Sequence, residues 1–238
     1  MTVTTTSLTR AAGVAAAAAG AIFIGVQLGH PQLNLTTITT TDVFVRDSLK
    51  ILMGALAVVG LTGMYLSQVR RNGVLGLVGY VVYAAGYLSI MCTTFVGAFV
   101  VPAIAGDNPG YVKDFIAMTT SRGTVTGDMG ALGMQAKVQG ILYLAGGVLF
   151  GIALFRAHVL ARWATVLLGV SGLVSAALSL MPDAFYRMLA YPNGIAMIGL
   201  GVSLWMSQRN ASPVGSNVET SATPAVVPAA PVEPSTVR

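Results

Sequence analysis

Six apolar stretches dominate the pattern of hydrophobic and polar positions along this chain. They cover residues 11–30, 48–69, 74–103, 138–156, 162–181 and 192–208. Most of them reach the length of about 20 residues that a helix needs to cross the hydrocarbon core of a bilayer. The pattern therefore predicts an all-α fold, a polytopic six-helix transmembrane bundle with short inner loops and a larger outer cap.

The charged residues between these stretches alternate between two kinds of loop. One kind carries arginines and no acid: Arg10, Arg70, Arg71, Arg156, Arg162 and Arg209. The other kind carries Asp42, Asp47, Asp107, Asp114, Asp128 and Asp183, balanced by Arg46, Lys50, Lys113, Arg122, Lys137 and Arg187. Short loops rich in Lys and Arg stay in the cytoplasm. The charge pattern therefore predicts a multi-pass cell-membrane protein with both termini cytoplasmic.

Composition excludes an ordinary soluble domain. The 238 residues are 55% hydrophobic and 9% charged. The net charge of +5 does not indicate nucleic-acid binding, because the arginines lie at span ends, where anionic lipid headgroups are found. The predicted partners are membrane lipids, with a homodimer or another membrane protein left open.

The two ends of the chain differ in character. Residues 1–10 are predicted to be a cytoplasmic N-terminus and residues 11–208 the membrane domain. A cleaved signal peptide is the alternative for the first span, but its removal would leave an odd number of spans. Residues 209–238 are rich in Pro, Ala, Ser, Thr and Val and are predicted to form a disordered cytoplasmic tail.

The two long outer loops, 31–47 and 104–137, are predicted to pack together as the cap. Asp42 or Asp47 is expected to cap the second span. The third stretch, 74–103, would measure about 45 Å at 1.5 Å per residue. Its end near Pro102 should therefore project into the cap.

Small and aromatic residues recur at helical spacing. Gly25 with Gly29 and Gly147 with Gly151 form two GxxxG motifs, which predict close helix contacts. Tyr80, Tyr83 and Tyr87 share one helix face. This face either packs in the core or lines a cavity for an aromatic or isoprenoid ligand. The single Cys92 excludes an intramolecular disulfide.

One motif resembles a catalytic signature. Residues 169–172 read Gly-Val-Ser-Gly, which is similar to the GxSG of rhomboid intramembrane proteases, where the serine needs an imidazole base. His30 and His158 fall at opposite ends of the predicted spans, so neither can serve Ser171 and the two cannot share a haem iron. We predict no catalytic residue, no cofactor and no metal.

The remaining polar residues gather at the outer ends of the spans. Lys50 and Lys137 lie near the starts of the second and fourth spans and are predicted to face each other across an outer vestibule. An anionic headgroup or solute is the expected ligand. The alternative is that both lysines reach up to headgroups and pair with nearby aspartates. The candidate ligand-binding residues are Lys50, Lys137, His30, Asp47, Arg46 and Gln139.

The chain resembles a family of small six-span bacterial membrane proteins with a domain of unknown function. The resemblance covers most of residues 8–208 and rests on two segments, Leu149-Phe-Gly-Ile-Ala-Leu-Phe-Arg156 and Ala161-Arg-Trp-Ala-Thr-Val-Leu-Leu-Gly169. It implies the topology and a bacterial inner membrane, and no activity or catalytic residue to carry over.

Taken together, these patterns favour a non-enzymatic accessory or partner-binding membrane protein with an outward-facing polar vestibule. Two alternatives remain open. A facilitator of a small or amphipathic solute would need a continuous polar path to the arginine side. A membrane enzyme acting on a lipid or isoprenoid would use outer groups such as His30, Asp42 or Asp47.

Overall fold

The computed structural model describes residues 3–120, 122–179, 188 and 190–208, with the backbone alone at 175, 176, 178 and 179. These residues form seven helices and no strand. The helices are α1 (Thr5–Gly25), α2 (Thr41–Leu66), α3 (Val69–Ile104), α4 (Pro109–Thr120), α5 (Gly130–Ala157), α6 (Arg162–Ser179) and α7 (Ala190–Ser207). Helix α3 contains a π-helical turn at Val96–Val100, and a 3₁₀ turn lies at Thr37–Thr39.

Six of the helices form a closed ring. Each of α1, α2, α3, α5, α6 and α7 packs against the next in this order, and α7 packs against α1. Helix α1 begins and helix α7 finishes at the same end of the ring. There the Arg10 guanidinium donates to the carbonyl oxygen of Gln208 at 3.2 Å. We call this the arginine end and the opposite one the cap end.

Glycines allow the helices of the ring to approach closely. A Cβ on Gly13 of α1 would lie 2.7 Å from the carbonyl oxygen of Gly201 of α7, and one on Gly79 of α3 would lie 2.6 Å from the Phe150 amide nitrogen of α5. The predicted contact at Gly151 is confirmed, since its Cβ would lie 2.7 Å from Gly169 Cα of α6. Small residues give dispersion contacts between backbones where a membrane supplies little hydrophobic drive.

The predicted contact at the other GxxxG motif is wrong. A Cβ on Gly25 would meet nothing within 4 Å. Helix α1 ends at Gly25, and Gly29 adopts φ +63° in the turn beyond it. The two glycines therefore do not share a helix face, and Gly29 serves the turn instead.

Five helices of the ring, α1, α2, α3, α5 and α7, begin earlier than their apolar stretches predict. Helix α1 starts at Thr5, because Thr4 and Ser7 form a capping box. Helix α2 starts at Thr41, after Thr40 in an extended conformation, with Asp42 in its first turn. Asp42 pairs with Arg46 at i,i+4 spacing, and Asp47 pairs with Lys50 at i,i+3 spacing. These ion pairs stabilise the polar first turns of α2 as helix. Thr40 therefore occupies the N-cap position of α2, and neither Asp42 nor Asp47 caps this helix.

The cap end has a small apolar core of its own. Ile38 and Val43 pack with Val101 of α3 and Phe115 of α4. The prediction that the two long loops pack together is confirmed, and α3 extends past Pro102 as expected. Helix α4 was not predicted, because residues 104–137 were expected to form a loop. Here Asn108 Oδ1 accepts a hydrogen bond from the Tyr111 amide, and Pro109 opens the helix.

Four helices among the described residues, α1, α2, α3 and α5, are long and apolar enough to cross a membrane. Helices α6 and α7 are 18 residues each. The described residues are thus all-helical with four candidate spans, and six spans remain a prediction. Asp183 and Arg187, Arg209 and the predicted tail 209–238 lie outside the described residues.

Candidate functional site

A cavity of about 580 Å³ opens at the cap end. Its walls come from the segment after α1, from α2, α3, α4 and α5, and from Arg122 in the loop after α4. Its volume falls in the range of small-molecule sites. The cavity is the place where the cap and the helix ring meet.

Three side chains in the cavity wall contact one another: His30 in the loop after α1, and Asp47 and Lys50 on α2. The Lys50 ammonium donates to Asp47 Oδ1 at 2.8 Å and lies 3.2 Å from His30 Nε2. His30 Nδ1 lies 2.8 Å from the Pro31 carbonyl oxygen, which can only accept. Nδ1 therefore carries the ring proton and Nε2 accepts from Lys50. All three side chains line the cavity.

His30 is held neutral by its surroundings. Burial lowers the pKa of His30 below its ordinary 6.5, and the Lys50 charge lowers it further. The charged groups of the wall are then Lys50, Asp47 and Arg122.

Arg46, a predicted site residue, serves the fold instead. Its guanidinium pairs with Asp42 at 3.0 Å and donates to the carbonyl oxygens of Val26 and Leu28 at 3.0 and 2.8 Å. These bonds satisfy the carbonyls left free where α1 ends. Arg46 does not line the cavity.

Lys137 does not join Lys50. Its side chain is exposed, and it is not part of the cavity wall. The reason is the helical rotation of about 100° per residue, which puts Gln135 and Gln139 of α5 on one face and Lys137 on the opposite face. The expected pair of facing lysines is therefore not formed, and Gln139 occupies the cavity wall in its place.

A polar cluster that the sequence did not reveal joins α3 to α5. The buried Thr93 hydroxyl lies 2.9 Å from Gln135 Oε1 and 2.7 Å from Gln139 Oε1. Gln135 Nε2 also donates to the Ser89 carbonyl oxygen at 2.9 Å. Thr93 and Gln139 both line the cavity. Such residues fix the wall and offer both donors and acceptors to a ligand.

Another unforeseen cluster lies deeper in the ring. Tyr87 donates to Asn193 Oδ1 at 3.0 Å, and Asn193 Nδ2 donates to the hydroxyls of Tyr83 and Ser171. Tyr83 and Tyr87 therefore pack in the core with hydroxyl partners, while Tyr80 bonds Thr62 at 2.9 Å. Ser171 donates to the Leu168 carbonyl oxygen, so its role is structural.

A fully buried apolar layer fills the ring from this cluster towards the arginine end. Its largest members are Leu61, Met64, Phe150, Leu154, Leu200 and Leu204. The polar surface that begins in the cavity therefore ends midway along the ring.

Asp114 anchors the loop between α4 and α5, whose Arg122 lines the cavity. Its carboxylate accepts from the amides of Thr126 and Gly127 at 2.9 and 2.8 Å. These bonds, that of Thr126 first, hold the pKa of Asp114 below its ordinary value. Helix α4 and the loop to α5 are thus tied together.

Comparisons with known proteins add no relative: no family model, no curated protein and no solved structure matches the chain. The resemblance to six-span bacterial proteins stays a prediction.

The neutral state of His30 sets a pH dependence of stability. Because its folded pKa lies below 6.5, the unfolded chain takes up the proton first. We expect the melting temperature in detergent to fall as the pH drops through 6.5 towards the folded pKa. His30→Gln, which keeps an acceptor for Lys50, should flatten this part of the curve. An unchanged curve in the variant would assign the dependence to another group.

Proposed function

We propose that the chain is a six-helix integral membrane protein whose cap-end cavity binds a small anionic solute or headgroup from the non-cytoplasmic side, without converting it. The observation that carries the proposal is the Lys50 ammonium in the wall of a 580 Å³ cavity, held between Asp47 and His30. An ammonium that is partly withdrawn from water attracts an anion more strongly than an exposed one.

The surface of the ring supports a membrane location. Large apolar side chains are exposed around it, among them Leu88, Ile141, Leu173 and Val202. Polar Asn193, in contrast, is fully buried. This inside-out distribution, with small residues at helix contacts, suits a protein whose outer solvent is lipid. Both termini and the loops after α2 and α5 are then cytoplasmic by their arginines.

The contacts of the polar groups favour binding over chemistry. His30 Nε2 is engaged by Lys50, and Asp47 is engaged in the ion pair. Asp42 faces Arg46 outside the cavity. Asp47 and His30, the acid and base that a membrane enzyme would need, therefore both already contact Lys50. An accessory role, sensing or presenting the bound anion to a partner protein or a second copy, follows from this.

The facilitator alternative is less well supported. It requires a polar path through the ring, whereas the buried layer between the Asn193 cluster and the arginine end is apolar.

Lys50→Gln should weaken anion binding about 10- to 100-fold, the loss expected for one charge-assisted hydrogen bond. The probes are inorganic phosphate, sulfate and small mono- and dicarboxylates, each titrated into the detergent-solubilised protein while the melting temperature is followed. Lys137→Gln is the matched control, because it removes an equal charge from the same end outside the cavity. Equal losses in both variants would mean a diffuse field rather than a site, and the absence of any shift with every probe would refute anion binding.

A further inference from the structure

A second cavity, of about 450 Å³, lies at the arginine end, remote from the first. It is lined by the turn from α2 to α3 and by Val159 of the turn from α5 to α6. Arg70 and Arg71 line it together with the apolar Leu66 and Val69. Nothing in the cap-end site uses these residues.

The turn between α2 and α3 buries amides whose hydrogen bonds are incomplete. Gln68, 4% exposed, also lines the cavity and donates through Nε2 to the Met64 carbonyl oxygen at 3.2 Å. Its Oε1 is buried and accepts no hydrogen bond among the described residues, and Asn72 Oδ1 likewise accepts none and Asn72 Nδ2 donates none there. A buried acceptor without a partner costs about 1–3 kcal/mol. A donor that enters the cavity would remove that cost at Gln68.

Arg70 and Arg71 indicate which second group the ligand carries. The side chains of Arg70 and Arg71 are exposed, and within the described part of the chain neither has an ion pair. A guanidinium matches the oxygens of a phosphate with paired donors. A ligand that pairs with both arginines and with Gln68 Oε1 therefore carries a phosphate group and, close to it, a hydroxyl that donates a hydrogen bond.

The neighbouring surface is apolar. Leu66, Val69 and Val74 are 62%, 44% and 78% exposed beside the cavity. In a membrane they would lie against acyl chains at the level of the headgroups.

We propose that this cavity is a phosphoglycerol site, in which Arg70 and Arg71 hold the phosphate and Gln68 Oε1 accepts from a glycerol hydroxyl. The same chemistry comes from an anionic lipid headgroup or from free glycerol phosphate. The proposal is independent of ligand binding at the cap end.

Four probes separate the contributions: dioctanoyl phosphatidylglycerol, dioctanoyl phosphatidylmethanol, dioctanoyl phosphatidylcholine and free glycerol phosphate. Each is titrated into the full-length protein in detergent, and bound ligand is counted by native mass spectrometry. Phosphatidylmethanol keeps the anionic phosphate diester but has no headgroup hydroxyl. We expect phosphatidylglycerol to bind more tightly than phosphatidylmethanol, and phosphatidylcholine to bind weakest. Tight binding of glycerol phosphate would place the natural ligand in solution, and its failure to bind would place the ligand in the lipid.

Three variants complete the test. Arg70→Gln and Arg71→Gln should each lower phosphatidylglycerol affinity about tenfold, while Arg156→Gln, which removes an exposed arginine of the same end outside the cavity, should leave it unchanged. Gln68→Met should erase the preference over phosphatidylmethanol and retain the preference over phosphatidylcholine. Equal wild-type binding of phosphatidylglycerol and phosphatidylmethanol would overturn the proposal. So would an equal loss in Arg156→Gln, because it would reduce the effect to net charge.

Discussion

Gly20→Val is expected to lower the melting temperature of the detergent-solubilised protein by roughly 6–12 °C, the shift that corresponds to a loss of about 3 kcal/mol. A Cβ at Gly20 would collide with the Gly194 carbonyl oxygen and lie 3.0 Å from the Ile198 amide nitrogen. Both contacts are backbone atoms of α7, so neither can rotate away. Helices α1 and α7 close the ring, and forcing them apart removes contacts along both.

The matched control is Gly25→Val in the same helix. A Cβ there meets nothing within 4 Å, so the collision is absent. Its melting temperature should stay within about 2 °C of wild type, as expected for a substitution away from packed features. Equal shifts in the two variants would show that α1 does not pack on α7 through Gly20.

Asn193→Leu is expected to destabilise the protein by about 3 kcal/mol or more, since it leaves several buried polar groups without partners at about 1–3 kcal/mol each. The side-chain amide of Asn193 forms hydrogen bonds with the hydroxyl groups of Tyr87, Tyr83 and Ser171. Leucine has a similar size and keeps the apolar packing. Thermal unfolding in detergent measures the loss.

A double-mutant cycle separates these hydrogen bonds from packing. Tyr87→Phe removes the donor to Asn193 Oδ1 and keeps the ring. Combined with Asn193→Leu, it should cost less than the sum of the two single changes, because the unpaired Tyr87 hydroxyl is then gone. Strict additivity would mean that the two side chains do not interact.

The helical ring could be anticipated from the sequence because apolar length and flanking charge act locally along the chain. The same reasoning misplaced the ends of α1, α2 and α5. Polar residues at these ends favour a loop, whereas pairs such as Asp42 with Arg46 allow a helix to continue through them. Helix α4 was missed for a related reason, since Asn108-Pro109 signals a turn or a helix start with equal strength.

The candidate site was only half anticipated. Of the six predicted residues, His30, Asp47, Lys50 and Gln139 line the cavity, whereas Arg46 and Lys137 do not. Spacing fixes which residues of one helix share a face and does not fix which face turns inward. The partners of Thr93 and Asn193 were invisible for the same reason, because their hydrogen bonds join residues between 22 and 110 positions apart.

The most direct test of the membrane-embedded ring with an outward cavity is the labelling of single cysteines by an impermeant maleimide in intact cells. In a Cys92→Ser background, cysteines replace the exposed residues Thr39 and Thr124 at the cap end and His158 at the arginine end. Thr39 and Thr124 should label in intact cells, and His158 only after the membrane is opened. Labelling of His158 with protection of both cap positions would reverse the topology. Labelling of all three positions, or of none, in intact cells would contradict a chain that crosses the membrane between its two ends.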